Sequence, residues 1–276
     1  MIHRHELSDA EWEFLRPLLP QSLRGRKQLD DRTVLNGIVW KFRTGTAWRD
    51  VPERYGSWHT PHTRFRRWAL DGTFERMLRS AQARADAAGE IGWVASVDST
   101  VVRAHQHAVG ARKEGSHPPT RTLPGGLTSK IHLACDALGR PLGFVLTGGN
   151  TSDCTQFAAV MEAIRVPRLG PGRPRLWPAH VLGDKGYSSC AIPTWLRRRG
   201  IAHTIPERAD QKRNRARRGS RGGRPPRFDK QIYKQRNVVE RCFIRLKQWR
   251  GIATRYDKTA ESCQAAVTLA SLLMWA

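Results

Sequence analysis

Near residue 91 the hydrophobic pattern changes period, and that change bounds the folds open to the chain. Upstream, apolar residues recur at helical spacing; downstream they sit in short, β-branched, alternating runs. "WVASVDSTVVRA" (93–104) predicts a strand, and "KIHLACDALGRPLGFVLTGG" (130–149) predicts two more, joined at Ala137–Pro141 around Gly139. "DCTQFAAVMEAIRV" reads as a helix, "AHVLGDKGY" as a short buried strand, "AIPTWLRRRG" as a helix ended by Gly200, and "IAHTIPE" as another strand. Three strands, a helix, a strand, a helix, a strand and a final helix describe a layered α/β domain over 91–276.

The first ninety residues read as a separate helical region. In "LSDAEWEFLRPLLP", Ser8 and Glu11 form a capping-box pattern, Trp12, Leu15, Leu18 and Leu19 fall at helical spacing, and Pro20 stops the run. "DDRTVLNGIVWKFRTG" repeats that logic, with Val34, Leu35, Ile38, Val39 and Phe42 on one face and Gly45 at the end. In "TPHTRFRRWALDGTFERML", Thr60 is the expected cap, Pro61 the first helical residue, and Phe65, Trp68 and Leu70 the packed face. Short helices joined by tight turns, the last carrying Arg64, Arg66 and Arg67, suit a helix-turn-helix-like DNA-binding region; a small helical bundle of any kind would share the pattern. Between the last strand and the final helix, residues 206–230 are arginine- and glycine-rich with few apolar side chains. They read as a mobile basic loop that clamps phosphates. "AAVTLASLLMWA" predicts a buried helix.

The charge balance narrows the partner. Forty-eight basic residues, thirty-eight of them arginine, stand against twenty-four acidic ones, a net of +24. Such a chain repels itself unless a polyanion offsets it, and arginine suits bidentate phosphate contact. Nucleic acid, double-stranded DNA included, is the first-choice partner, with an anionic membrane surface the weaker alternative. The five cysteines are widely spaced with no CxxC pair, which argues against a disulfide framework or zinc ribbon and suits a reducing cytoplasm. Neither an apolar signal region nor a membrane-spanning run is present in the sequence.

From Lys230 to Lys258 every charged side chain is cationic except Glu240 and Asp257. On a helical wheel Val238, Val239, Cys242, Phe243, Leu246 and Trp249 form a core arc, and Lys234, Arg241 and Arg245 a basic one. Tyr233, Arg236, Glu240 and Lys247 share a third arc, with Asn237 at its edge. An Arg236–Glu240 ion pair at i, i+4 would explain the acid, worth a few tenths of a kcal/mol. Two other acids make a catalytic reading competitive. Asp98 sits inside a strand, where an unpaired carboxylate is costly, and Asp184 ends the strand "HVLGD", where α/β sheets project side chains into a crevice. Three such acids form an oxygen-rich site for Mg²⁺, and two ions roughly 3.5–4 Å apart support in-line displacement at phosphorus. Lys185, beside Asp184, is a candidate phosphate contact, and Lys130 and His132 could border the site. His105 and His107 share strand-like spacing but have no third ligand, and "GGLTSK" lacks the spacing of a nucleotide-binding loop.

The signature Tyr233, Arg236, Glu240, Lys247, with "VDSTVVRAHQHA" around Asp98, "GDKGYSS" around Asp184 and "GGLTSKIHLACDALGRP" between them, resembles the DDE transposases of bacterial insertion sequences. The resemblance is to the insertion-sequence-five family, within the wider group that has IS4-like catalytic domains, and runs nearly end to end. It implies an RNase H-like core in which Asp98 bridges two Mg²⁺ ions, with Mn²⁺ able to substitute, and Asp184 and Glu240 complete one site each. It further implies that Arg236 and Lys247 hold phosphates near the scissile bond and that Tyr233 positions the strand. Asn237, Lys185, Arg64, Arg66 and Arg67 extend this DNA-facing set. Cleavage at element ends, joining of 3′-hydroxyls to target DNA, and a dimer or larger assembly on DNA are the expectations. An RNase H-like nuclease without strand transfer, and an inactive DNA-binding relic, are the rival readings.

Overall fold

The computed structural model describes residues 4–20, 29–109 and 128–276. The helical region contributes α1 (Asp9–Leu15), α2 (Asp31–Thr44), α3 (His59–Leu70) and α4 (Thr73–Ala87). The capping box at Ser8 and Glu11 forms, with both reciprocal hydrogen bonds made. Gly45 ends α2 in the left-handed conformation at φ 76°. Val34, Leu35, Ile38, Val39 and Phe42 are fully buried, as their spacing requires. Two details differ from expectation. α3 starts at His59 behind Trp58, with no side-chain cap, so Thr60 is already helical. Leu70, at the helix end beside the Asp71–Gly72 turn, is half exposed rather than packed.

Downstream, β1 (Val94–Ala104) leads through a short α5 (Gln106–Val109) to β2 (Thr128–Cys135) and β3 (Pro141–Gly148). Then follow α6 (Asp153–Ala163), β4 (His180–Gly183), α7 (Ala191–Arg198) and β5 (Ala202–Thr204). The sheet order is β3-β2-β1-β4-β5, antiparallel from β3 to β1 and parallel from β1 to β5. Helices on the sheet and the mixed topology make an α/β core consistent with the RNase H-like expectation. The hairpin turn between β2 and β3 has Gly139 at φ 78°, where a Cβ would press on Val238 at 3.2 Å. Gly125, Gly126 and Leu127 of the "GGLTSK" stretch lie outside the described residues.

The segment expected to be a mobile loop contains α8 (Ala209–Arg217). No apolar face drives it. Gln211 Oε1 instead accepts the Arg208 N–H at 3.0 Å, and Gln211 Nε2 donates to the Ser188 carbonyl at 2.8 Å. The final helix is also divided: α9 (Lys230–Lys234), a 3₁₀ turn over Gln235–Asn237, then α10 (Val238–Lys247). A short α11 (Arg250–Ala253) precedes β6 (Thr254–Arg255), a two-residue strand parallel to β1 that the sequence pattern did not reveal. The expected C-terminal helix is α12 (Ala260–Leu272), buried over most of its length.

One continuous core runs from Leu7 to Trp275 through both regions. α12 packs on α3 and α4 as well as on the sheet. The buried Gln82 of α4 donates to the carbonyls of Pro141 and Leu142 at 3.0 and 3.1 Å, and the Trp275 indole reaches the Pro141 carbonyl at 3.1 Å. Lys41 of α2 is buried 3.8 Å from Asp257, with its ammonium 3.9 Å from the Phe42 ring centroid.

Candidate active site

The parallel register of β1 and β4 pairs Val97 with Gly183. The next residues, Asp98 and Asp184, therefore sit side by side on adjacent strands, just past the carboxyl end of β4. Asp184 caps the 3₁₀ turn Lys185–Tyr187, accepting the Gly186 N–H at 2.7 Å. Asp98 Oδ1 accepts the Ser99 N–H at 2.8 Å. Its other oxygen meets Arg236 Nη2, and the same nitrogen lies 3.4 Å from Glu240 Oε1. The i, i+4 ion pair of the simpler reading is thus present, but the guanidinium also spans to the strand and joins Glu240 to Asp98.

A 3₁₀ turn carries Arg236. A regular helix would stack Tyr233, Arg236 and Glu240 in one row, as the wheel implied. The chain tightens at Gln235–Asn237, this turn lies against β1, and α10 keeps Val238, Val239, Cys242, Phe243 and Leu246 in the core. Lys247 is partly exposed, and its Nζ donates to the Val101 carbonyl of β1 at 3.2 Å. The Tyr233 ring lies 5.0 Å from that of Phe228. Asn237 and Lys185 are exposed at the rim.

Burial pushes the Asp98 carboxyl up to about 6, and the charges of Asp184 and Glu240 push the same way, against the Ser99 N–H and Arg236. Tyr187, 1% exposed, directs a buried hydroxyl that finds no hydrogen-bond partner among the described residues. Burial raises its pKa, followed by the fields of Asp98, Asp153 and Asp184. Asp153 is a fourth carboxylate here that sequence reasoning missed. It heads α6 and takes Ser99 Oγ at 2.7 Å and Lys130 Nζ at 3.1 Å, with His132 Nδ1 at 3.5 Å. Lys130 and His132 do border the site, through this acid.

Among the described residues no three His, Cys, Asp or Glu side chains close into a metal cage. The charge arrangement nevertheless suits a cation. Asp98 and Glu240 already share a guanidinium between them, burial and the neighbouring acids raise the Asp98 pKa, and an unpartnered hydroxyl lies in the same field. Asp98, Asp184 and Glu240 are the carboxylates that could hold a divalent ion there.

The other candidates fall elsewhere. Arg64 is held by Asp31 at 2.6 Å and lies over Trp68, so its guanidinium is occupied within the helical region, whereas Arg66 and Arg67 are exposed on α3. β1 ends at Ala104, so His105 and His107 are not strand neighbours; their rings lie 4.9 Å apart across the start of α5. All five cysteines are free, and no helix among the described residues is long and apolar enough to cross a membrane.

The chain matches two family models, one described as "Transposase DDE domain" over residues 91–275 and one as "Putative transposase of IS4/5 family" over residues 7–78. A "Putative transposase for insertion sequence element IS402" from Burkholderia cepacia is 34% identical over 165 residues, 60% of this chain and 69% of the relative. A "Putative transposase for insertion sequence element IS6501" from Brucella ovis is 30% identical over 54% of this chain and 98% of the relative. "Uncharacterized protein y4sN" of Sinorhizobium fredii is 38% identical over 39% of this chain and 83% of its own length.

Proposed function

The chain belongs to the IS4/5 family of DDE transposases, and we propose that it cuts the ends of its own insertion element and joins them to target DNA. The observation that carries this reading is the convergence of Asp98 and Glu240 on one guanidinium, with Asp184 in register beside Asp98. These acids come from β1, the turn after β4 and a crossing helix, on a strongly basic molecule.

In the proposed reaction water attacks the phosphorus at an element end, the P–O3′ bond breaks, and the element strand keeps a free 3′-hydroxyl. That hydroxyl then attacks a target phosphorus, a new P–O3′ bond forms, and the displaced target 3′-oxygen takes the proton. Two Mg²⁺ or Mn²⁺ ions, when bound, supply the positive charge that acidifies the attacking oxygen and stabilises the leaving one. Asp98, Asp184 and Glu240 hold that charge in place. Arg236 exchanges its carboxylates for the DNA phosphate, which needs the same cation. Lys185 and Asn237 contact the backbone beside the scissile bond, Tyr233 orients the strand, and Arg66 and Arg67 grip the duplex farther out. Lys247, seated on the Val101 carbonyl, holds a phosphate near the scissile bond.

The test is strand transfer on duplex DNA carrying the element's end, with Mg²⁺. Joined products from the wild type, none from Glu240→Gln, and undiminished DNA binding by the variant are expected, with nicking reduced roughly 100–1,000-fold, the order that removing an essential electrostatic group costs. Nicking without joining would assign a nuclease. Equal activity in the variant would remove Glu240 from the chemistry.

A further inference from the structure

Asp153 lies beside the site, yet the proposed chemistry leaves it unused. It accepts the Ser99 hydroxyl at 2.7 Å, although 54 residues separate the two in sequence. Ser99 in turn donates its backbone N–H to Asp98 Oδ1 at 2.8 Å. The same Asp153 oxygen takes Lys130 Nζ at 3.1 Å, and Lys130 is anchored a second time on the Thr151 carbonyl at 2.8 Å. His132, 1% exposed, faces that oxygen from β2 and is itself fixed by Thr147 Oγ1 at 2.9 Å. One carboxylate oxygen therefore gathers a hydroxyl, an ammonium and an imidazole edge. The adjoining Cys154 Sγ donates to the Gly186 carbonyl at 2.6 Å, two residues past Asp184. The first turn of α6 is thus fastened to the backbone next to both aspartates.

We propose that Asp153 is a positioning residue for the acidic site: it holds Ser99, and through the Ser99 N–H fixes the orientation of the Asp98 carboxylate toward an incoming cation. Lys130 neutralises Asp153, so this acid braces the site without competing for the ion. A carboxylate is needed because an amide oxygen would leave the Lys130 ammonium without its counter-charge in a half-buried setting. The inference rests on the reading of Asp98 as a metal ligand.

The experiment uses the full chain bound to end DNA and follows Mn²⁺ binding by paramagnetic resonance, with the signal of DNA alone subtracted. Nicking is titrated with Mn²⁺ in parallel. Asp153→Asn and Ser99→Ala are each expected to raise the half-saturating Mn²⁺ concentration roughly 10–100-fold, the range for residues that orient metal ligands. The maximal rate at saturating Mn²⁺ and the affinity for DNA should stay near wild type. A residue that only supports the fold would lower the maximal rate and the melting temperature together and leave the Mn²⁺ requirement unchanged, which would overturn the proposal. Should Asp153→Asn not fold, Ser99→Ala removes a single hydroxyl, keeps the Lys130 pair and carries the same test. Asp98→Asn separates the two levels. If it abolishes Mn²⁺ binding while Asp153→Asn and Ser99→Ala bind as wild type, only the positioning role fails; if Asp98→Asn itself binds Mn²⁺ normally, the site reading fails.

Discussion

At Arg236 and His132 the same difficulty, charge in a partly dry place, is met in two ways. Arg236 lets Asp98 and Glu240 stay close by standing between them. His132 gives up its charge instead: burial above all, with the Lys130 ammonium acting in the same direction and Asp153 opposing, lowers its pKa to about 4. An unfolded histidine titrates near 6.5, so between these values the unfolded chain binds more protons than the folded one. Stability should therefore fall as pH drops from about 6.5 toward 4, by about 3 kcal/mol from this residue at the lower end. Urea midpoints measured between neutral and mildly acidic pH should decline less steeply for His132→Asn than for wild type; parallel curves would show that the imidazole is not held neutral. Asp98 and Glu240 could be singled out in the sequence because each is out of place in its own element. Asp153 could not, since an acid in the first turn of a helix is ordinary and its partners arrive only with the fold.

At the scale of elements, the strands and most helices were legible because each buries a face whose period is written in apolar residues. The sheet supplied what no local pattern contains: the β1–β4 register that sets Asp98 against Asp184. The misreadings share a cause. α8 has no buried residue and is held by polar contacts, so a hydrophobicity argument passes over it. The 3₁₀ turn at Gln235–Asn237 breaks a wheel drawn at constant pitch, and β6 is too short to show a period. Gln211 and Arg208 tie the start of α8 to Ser188, four residues beyond Asp184, and Arg213 and Arg217 are exposed along the same helix. Replacing both with serine should weaken DNA binding at low salt and reduce the slope of log affinity against log salt by about 0.9 for each phosphate that is no longer neutralised. Anisotropy titrations at several salt concentrations measure this; an unchanged slope would mean α8 faces away from DNA.

For the molecule as a whole, the helical region and the sheet share one interior, and the Lys41–Asp257 pair is buried where they meet. Burial lowers the Lys41 pKa while Asp257 pulls it back up. Lys41→Met should cost about 3–5 kcal/mol because it strands Asp257 in a dry site, and adding Asp257→Asn should restore part of that loss. Denaturant unfolding of the two single variants and the double variant gives the coupling; strict additivity would show that the two groups do not interact. The position of α12 against α3 and α4 also orders events in time. Translation releases the helices proposed to grip DNA long before residues 260–275 exist, and until then the face of α3 and α4 that α12 covers has no partner. A transcript broken before that point would leave that apolar face open to chaperones and proteases.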